Sequence, residues 1–178
     1  PQALELFSPA VSAESEWIMA ARCIGSPAGV AADLARILDT ADLAWNELDA
    51  ERAHAFWHLV THAGSGAAMT VRLGVLAAGL DELLDLVSQH LDEGLIWAGA
   101  SQGGMRWAGE ATPDQLRILR RLAAEREVPL TLERAPWAVR QAVGHFGAYR
   151  EGVGPLVAQL RDAFDPTGRL VVAMDGFE

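Results

Sequence analysis

Three groups of residues have types and spacings that could do chemistry. Gly99-Ala100-Ser101-Gln102-Gly103 matches G-x-S-x-G, the nucleophile elbow of serine hydrolases, where a strand-to-helix turn lifts the Ser Oγ above a sheet. The residues that follow, Met105-Arg106-Trp107, have strand character, so a Gly-rich hairpin turn is expected here in place of an elbow. His54, His58 and His62 recur one helical turn apart, and two His so spaced can hold a divalent metal. No H-E-x-x-H signature accompanies them and no carboxylate shares their stripe, so they read as the flank of an apolar helix face. Arg72 and Arg106 each interrupt a strand pattern, where an Arg either lies on a solvated sheet face or is aimed at an anion.

The elements that must position these residues follow from periodicity and capping. Pro1 to Leu6 is a short extended segment closed by Ser8-Pro9, and Glu16 to Ile24 reads as a strand ended by Gly25. Ser26-Pro27 starts a helix, with Ser as cap and Pro in the first turn, whose apolar stripe is Val30, Leu34, Ile37 and Leu38. A short extended piece, Leu43 to Leu48, precedes a helix capped by Asp49 that runs to about Thr61. Met69 to Val75 alternates as a strand, and Leu80, Leu83, Leu84, Val87 and Leu91 form the face of an amphipathic helix. Leu95 to Gly99 and Met105 to Ala108 are two strands joined through Gln102-Gly103-Gly104. Thr112-Pro113-Asp114-Gln115 is a capping box, and Val128 to Leu132 is the last strand.

From Met69 to Leu132 the order is β-α-β-β-α-β, the split βαβ or ferredoxin-like arrangement. Residues 1–48 repeat its second half, so the expected architecture is α+β, a tandem of ferredoxin-like units with antiparallel sheets, the first unit truncated. The expected divisions are 1–62 for the partial first unit and its connecting helix, 63–134 for the second unit, and 135–178 for a helical tail. The arginines at Arg117, Arg120 and Arg121 are expected on the wet side of a helix, and most of the six Trp in packing roles.

Composition narrows the function. The 178 residues, 51% hydrophobic and 21% charged, can bury roughly 70% of their unfolded surface, which argues against a disordered chain. A net charge of -10 repels phosphate backbones, so nucleic acid is not an expected partner. Every cation is Arg. The absence of Lys removes Schiff-base chemistry and a P-loop lysine, and neither G-x-G-x-x-G nor the P-loop pattern occurs. The lone Cys23 excludes an internal disulfide and a Cys-cluster metal site. No apolar run is long enough to span a bilayer and no signal-peptide pattern opens the chain, so a soluble cytoplasmic location is expected. The start on Pro1 in place of Met reads as a piece excised from a longer chain.

The run LVAQLRDAFDPTGRL, Leu156 to Leu170, resembles the closing helix and D-P-x-G signature of FAD-linked oxidases of the vanillyl-alcohol oxidase type. Within that superfamily, PQALEL (Pro1 to Leu6), MTVRLGVL (Met69 to Leu76), LIWAGASQGGMRW (Leu95 to Trp107) and LERAPWAVRQAVGHFG (Leu132 to Gly147) look like the FAD-binding subunits of bacterial glycolate oxidases. The resemblance implies a C-terminal cap domain of two ferredoxin-like units, closing over a flavin held mainly by an upstream FAD-binding domain outside this chain. It further implies an oxidoreductase that removes hydride from a small 2-hydroxy acid and has other oxidase subunits as partners. The fragment alone is then expected to be inactive. Arg72 and Arg106 become the candidate substrate-binding residues, because a guanidinium pairs bidentately with a carboxylate; catalytic and cofactor-binding residues are not assigned. Two positions depart from the family. Val171-Val172-Ala173 stand where Asn-Pro-Gly usually follows, and the H-G-D-G-N-x-H motif of the catalytic subunit is absent. The alternative reading is a non-enzymatic ferredoxin-like binding or subunit-docking module, with a serine hydrolase acting through Ser101 a distant third.

Overall fold

The structure, a computed structural model, describes residues 2–12, 15–40, 44–148 and 151–169. It is α+β. Six strands, β1 (Ala3–Phe7), β2 (Ile18–Arg22), β3 (Met69–Gly74), β4 (Leu95–Gly99), β5 (Gly104–Gly109) and β6 (Leu130–Arg134), form one antiparallel sheet in the order β2-β1-β4-β5-β3-β6. Seven helices are described: α1 (Pro9–Ser12), α2 (Pro27–Thr40), α3 (Ala50–His62), α4 (Leu80–His90), α5 (Pro113–Glu125), α6 (Trp137–Val143) and α7 (Val153–Phe164).

Within β3 to β6 the strand order is that of a complete split βαβ unit, because each crossover helix returns the chain to the far side of an intervening strand. The apolar faces of α4 and α5 supply Leu83, Val87, Leu116, Leu119 and Ala123 to a core lined by Val71, Leu73, Ile96, Ala98, Met105, Trp107, Leu130 and Leu132 from the sheet. Period-2 alternation puts these strand residues on one face and leaves the other face to a different set of side chains. The helix start signals are realised as atoms. Thr112 and Gln115 exchange side-chain and backbone hydrogen bonds in a complete capping box. The Asp49 carboxylate accepts from the Arg52 amide at 2.9 Å, and Ser26 Oγ accepts from the Gly29 amide at 3.2 Å.

β1 and β2, expected as strands of the first unit, are appended to β4, so a single sheet joins residues 1–62 to residues 63–134. The seam is fastened by Ser8 and Ile96. The extended piece expected at Leu43 to Leu48 has no strand pairing over 44–48, and Leu43 lies outside the described residues. Its counterpart β6 pairs with β3, and among the described residues of 1–62 no counterpart of β3 offers an edge.

α3 crosses the second face of the sheet at its β1 side. Phe56 meets the fully buried Phe7 edge-to-face at 5.5 Å, and Arg22 lies over the Trp57 ring at 5.6 Å. α6 packs on α5, and the strip after it bridges β6 through Thr131 and Phe146. There the expectation for Arg120 is corrected. It is half buried and donates to the carbonyls of Val143 and Phe146, because the helix face that would be wet is covered by residues 143–147; the same burial lowers its pKa. Trp107 is buried as expected, whereas Trp17 and Trp137 stand exposed. Among the described residues no helix is long and apolar enough to cross a membrane. The family-departing residues Val171-Val172-Ala173 lie outside the described residues.

Candidate functional site: an arginine pair on the open sheet face

Register alone assembles this site. Phe7 pairs with Trp97, Trp97 with Arg106, Arg106 with Arg72 and Arg72 with Thr131, so one lateral row crosses β1, β4, β5, β3 and β6. The row lies on the face turned away from α4 and α5, since its sequence neighbours Leu73, Met105 and Leu130 are in the core. At its β1 end α3 covers Phe7. The loop after α3 presses on the same face, for a Cβ on Gly64 would lie 2.6 Å from the Ala108 Cβ and 3.0 Å from the Trp97 ring. Past Trp97 the covering stops, and the Arg106 and Arg72 side chains are 43% and 52% exposed.

Like charges directly opposite each other on neighbouring strands repel. Here Glu133 lies between them. Arg106 donates from Nε to Oε2 at 2.8 Å and from Nη2 to Oε1 at 3.2 Å, a two-point fork on the carboxylate. Arg72 Nε stands 3.0 Å from the same Oε1. Glu133 reaches both from the same face, two residues along β6 from Thr131, the partner of Arg72. Val71 faces Leu132 but Thr70 faces Arg134, which leaves Glu133 as the extra residue of a bulge. Among the described residues no other partner takes the two Nη groups of Arg72 or Nη1 of Arg106.

Glu5 on β1 is the second carboxylate of this face. Its carboxyl oxygens lie over Gly99, where an added Cβ would be 3.5 and 3.6 Å away. Burial pushes the Glu5 pKa up, and the nearby Arg106 charge pulls it partly back. Two carboxylates and two guanidiniums therefore leave the cluster balanced in formal charge but unequal in solvation, with the unused N–H groups on the arginines.

The other sequence candidates are placed elsewhere. Ser101 sits in the turn between β4 and β5, whose Gln102 and Gly103 amides donate to the Gly99 carbonyl, so the G-x-S-x-G stretch is a hairpin and not a strand-to-helix elbow. His58 and His62 stack at 4.3 Å on α3, and His62 Nδ1 lies 2.8 Å from the His58 carbonyl. Among the described residues no group of three or more His, Cys, Asp or Glu side chains could hold a metal ion. An open depression of about 420 Å³ between Gly64–Ala67 and Glu93–Leu95 is lined mainly by apolar atoms, and neither arginine reaches it.

The glycine turn between β4 and β5 is not a holder for the phosphates of FAD. Such a holder needs a glycine turn whose backbone amides face open space. At Gly103, where φ is 67°, an added Cβ would sit 1.6 Å from the Val75 carbonyl oxygen, and the Gly103 carbonyl accepts from the Val75 amide at 2.7 Å. This glycine is spent on the chain's own packing. Glu133 is the site residue that motif reasoning passed over, since nothing near it in sequence marks a partner 27 residues away.

Comparison with protein-family models, with curated proteins and with solved structures finds no match for this chain.

Proposed function

We propose that this chain is the cap region of an FAD-dependent oxidoreductase similar to the glycolate oxidase FAD-binding subunits, and that its open sheet face receives the carboxylate of a small 2-hydroxy acid. The observation that carries the reading is the direct register of Arg72 and Arg106 on the face left uncovered by helices. Two guanidiniums with unused N–H groups, one strand spacing apart, suit an anion the size of a carboxylate. The flavin would be held by an upstream domain of the same polypeptide, other oxidase subunits would complete the assembly, and no reaction step is assigned to residues of this chain. A cytoplasmic setting accords with the single thiol, Cys23.

Glycolate titrated into the isotope-labelled chain tests this. The side-chain Nε–Hε resonances of Arg72 and Arg106 should shift together, with millimolar affinity for so small a ligand, and the backbone amides of β3, β5 and β6, which shift with them, should not respond in the Arg72→Met, Arg106→Met double variant. Silence of both resonances would remove the reading. The same preparation should be colourless; FAD retained through gel filtration would place the flavin on these residues and contradict the division of labour.

A second reading, a non-enzymatic docking module, has one observation in its favour. Leu156, Leu160 and Phe164 form an exposed apolar stripe along α7. Substitution of that stripe should leave the glycolate titration unchanged, which separates the two readings.

A further inference from the structure

We propose that Glu133 is a tethered competitor for the anion site: its carboxylate occupies the Arg72–Arg106 pair when no ligand is bound and must be displaced or shared before a ligand carboxylate can enter. This deepens the reading above and rests on it.

Three features carry the inference. First, the contact geometry is that of a bound carboxylate ligand. Arg106 grips both oxygens through Nε and Nη2, at 2.8 and 3.2 Å, and Arg72 Nε adds a second cation at 3.0 Å. A ligand carboxylate aimed at the same edges would meet the same donors. Second, alternation along β6 puts Glu133 on the open face, two residues from Thr131, the partner of Arg72. The slip between Val71 and Thr70 makes Glu133 the supernumerary residue of β6. With regular pairing Glu133 would face Thr70, which shares the open face with Arg72 two positions along β3. Third, the group is held loosely enough to yield. The Glu133 side chain is 30% exposed and the two arginines more so, and exposed ion pairs are individually weak in water.

The consequence is arithmetic. A ligand that binds only when the pair is vacant has its affinity reduced by the vacant fraction. Removing the charge of Glu133 also leaves two directly opposed cations without their bridging anion, a state that an added anion relieves. Glu133 thereby sets a threshold. Ligands with one carboxylate and no other hold on the site compete poorly, and those with an additional anchor, such as the hydroxyl of a 2-hydroxy acid, compete better.

The test compares the whole chain with its Glu133→Gln and Glu133→Ala variants, titrated with glycolate and with acetate and followed at the Arg72 and Arg106 Nε–Hε resonances; far-ultraviolet circular dichroism confirms that each is folded. The expected result is tighter glycolate binding by about fivefold or more in both variants, with a gain of the same factor for acetate. Equal affinities in wild type and variants, or weaker binding in the variants, overturn the competitor role and leave the anion site standing; weaker binding would make Glu133 a residue that positions the arginines. Absence of binding in all three chains overturns the competitor role and the anion site together.

Discussion

Ser8 and Ile96 are 88 residues apart and hold each other by two hydrogen bonds: the Ser8 amide donates to the Ile96 carbonyl at 2.9 Å, and the Ile96 amide donates to Ser8 Oγ at 2.9 Å. Ser8 is buried, so neither bond is shared with bulk water. This pair stands where β1 leaves β4, and it extends the β1–β4 ladder one step past the last paired strand residues, Phe7 and Trp97. Ser8→Ala should strand the Ile96 amide and cost about 1–3 kcal/mol. Thermal unfolding measures the loss, and hydrogen exchange should show it concentrated in β1 and β2. Uniform loss across the sheet would mean that the seam is not a separate weak point.

Glu5 gives a pH signature with a definite sign. Its folded pKa lies above the ordinary value of 4.5, chiefly because burial penalises the charged form. The folded state therefore holds the proton more tightly than the unfolded chain. Its contribution to stability is fully present below the unfolded pKa and is lost as pH rises through the folded one. Glu5→Gln should accordingly raise the melting temperature at pH 7 and change it little near pH 4. A fall at pH 7 would show that the attraction of Arg106 outweighs burial.

Gly103 is packed too tightly against Val75 to carry a side chain. Its φ of 67° is strained for any L side chain, and the added Cβ would overlap the Val75 carbonyl oxygen. Gly103→Ala should destabilise by about 2–4 kcal/mol, as read from denaturant midpoints. Gly104, next in sequence, has nothing within 4 Å of an added Cβ, so Gly104→Ala should be far milder.

Phe56 tests whether α3 covers the β1 side of the second face. Phe7 is wholly buried, and Phe56 meets it edge-to-face at an interplanar angle of 85°. Phe56→Ala should cost about 2 kcal/mol, less than a fully buried Phe because Phe56 is only half buried. Amides of α3 should exchange faster while those of α4 and α5 stay protected. Loss of protection in α5 instead would mean that the two faces of the sheet melt as one.

Local sequence determined most of the elements, because their signals are short-range. The capping box at Thr112, the Asp49 and Ser26 caps, and the alternation of Met69 to Leu73 each depend on residues within one turn or one strand, and each is found where periodicity puts it. The α+β class and the split βαβ order followed from those elements in sequence. That Arg72 and Arg106 share a face was within reach too, since alternation fixes the face once the core residues are known. Three features were decided only by the folded chain. The joining of β1 to β4 depends on hydrogen bonds between backbone groups, which carry no side-chain signature. The covering of Arg120 comes from a segment more than 20 residues downstream. The bridging of Arg72 and Arg106 by Glu133 depends on which strands lie side by side and on their register, which no pattern on one strand alone records.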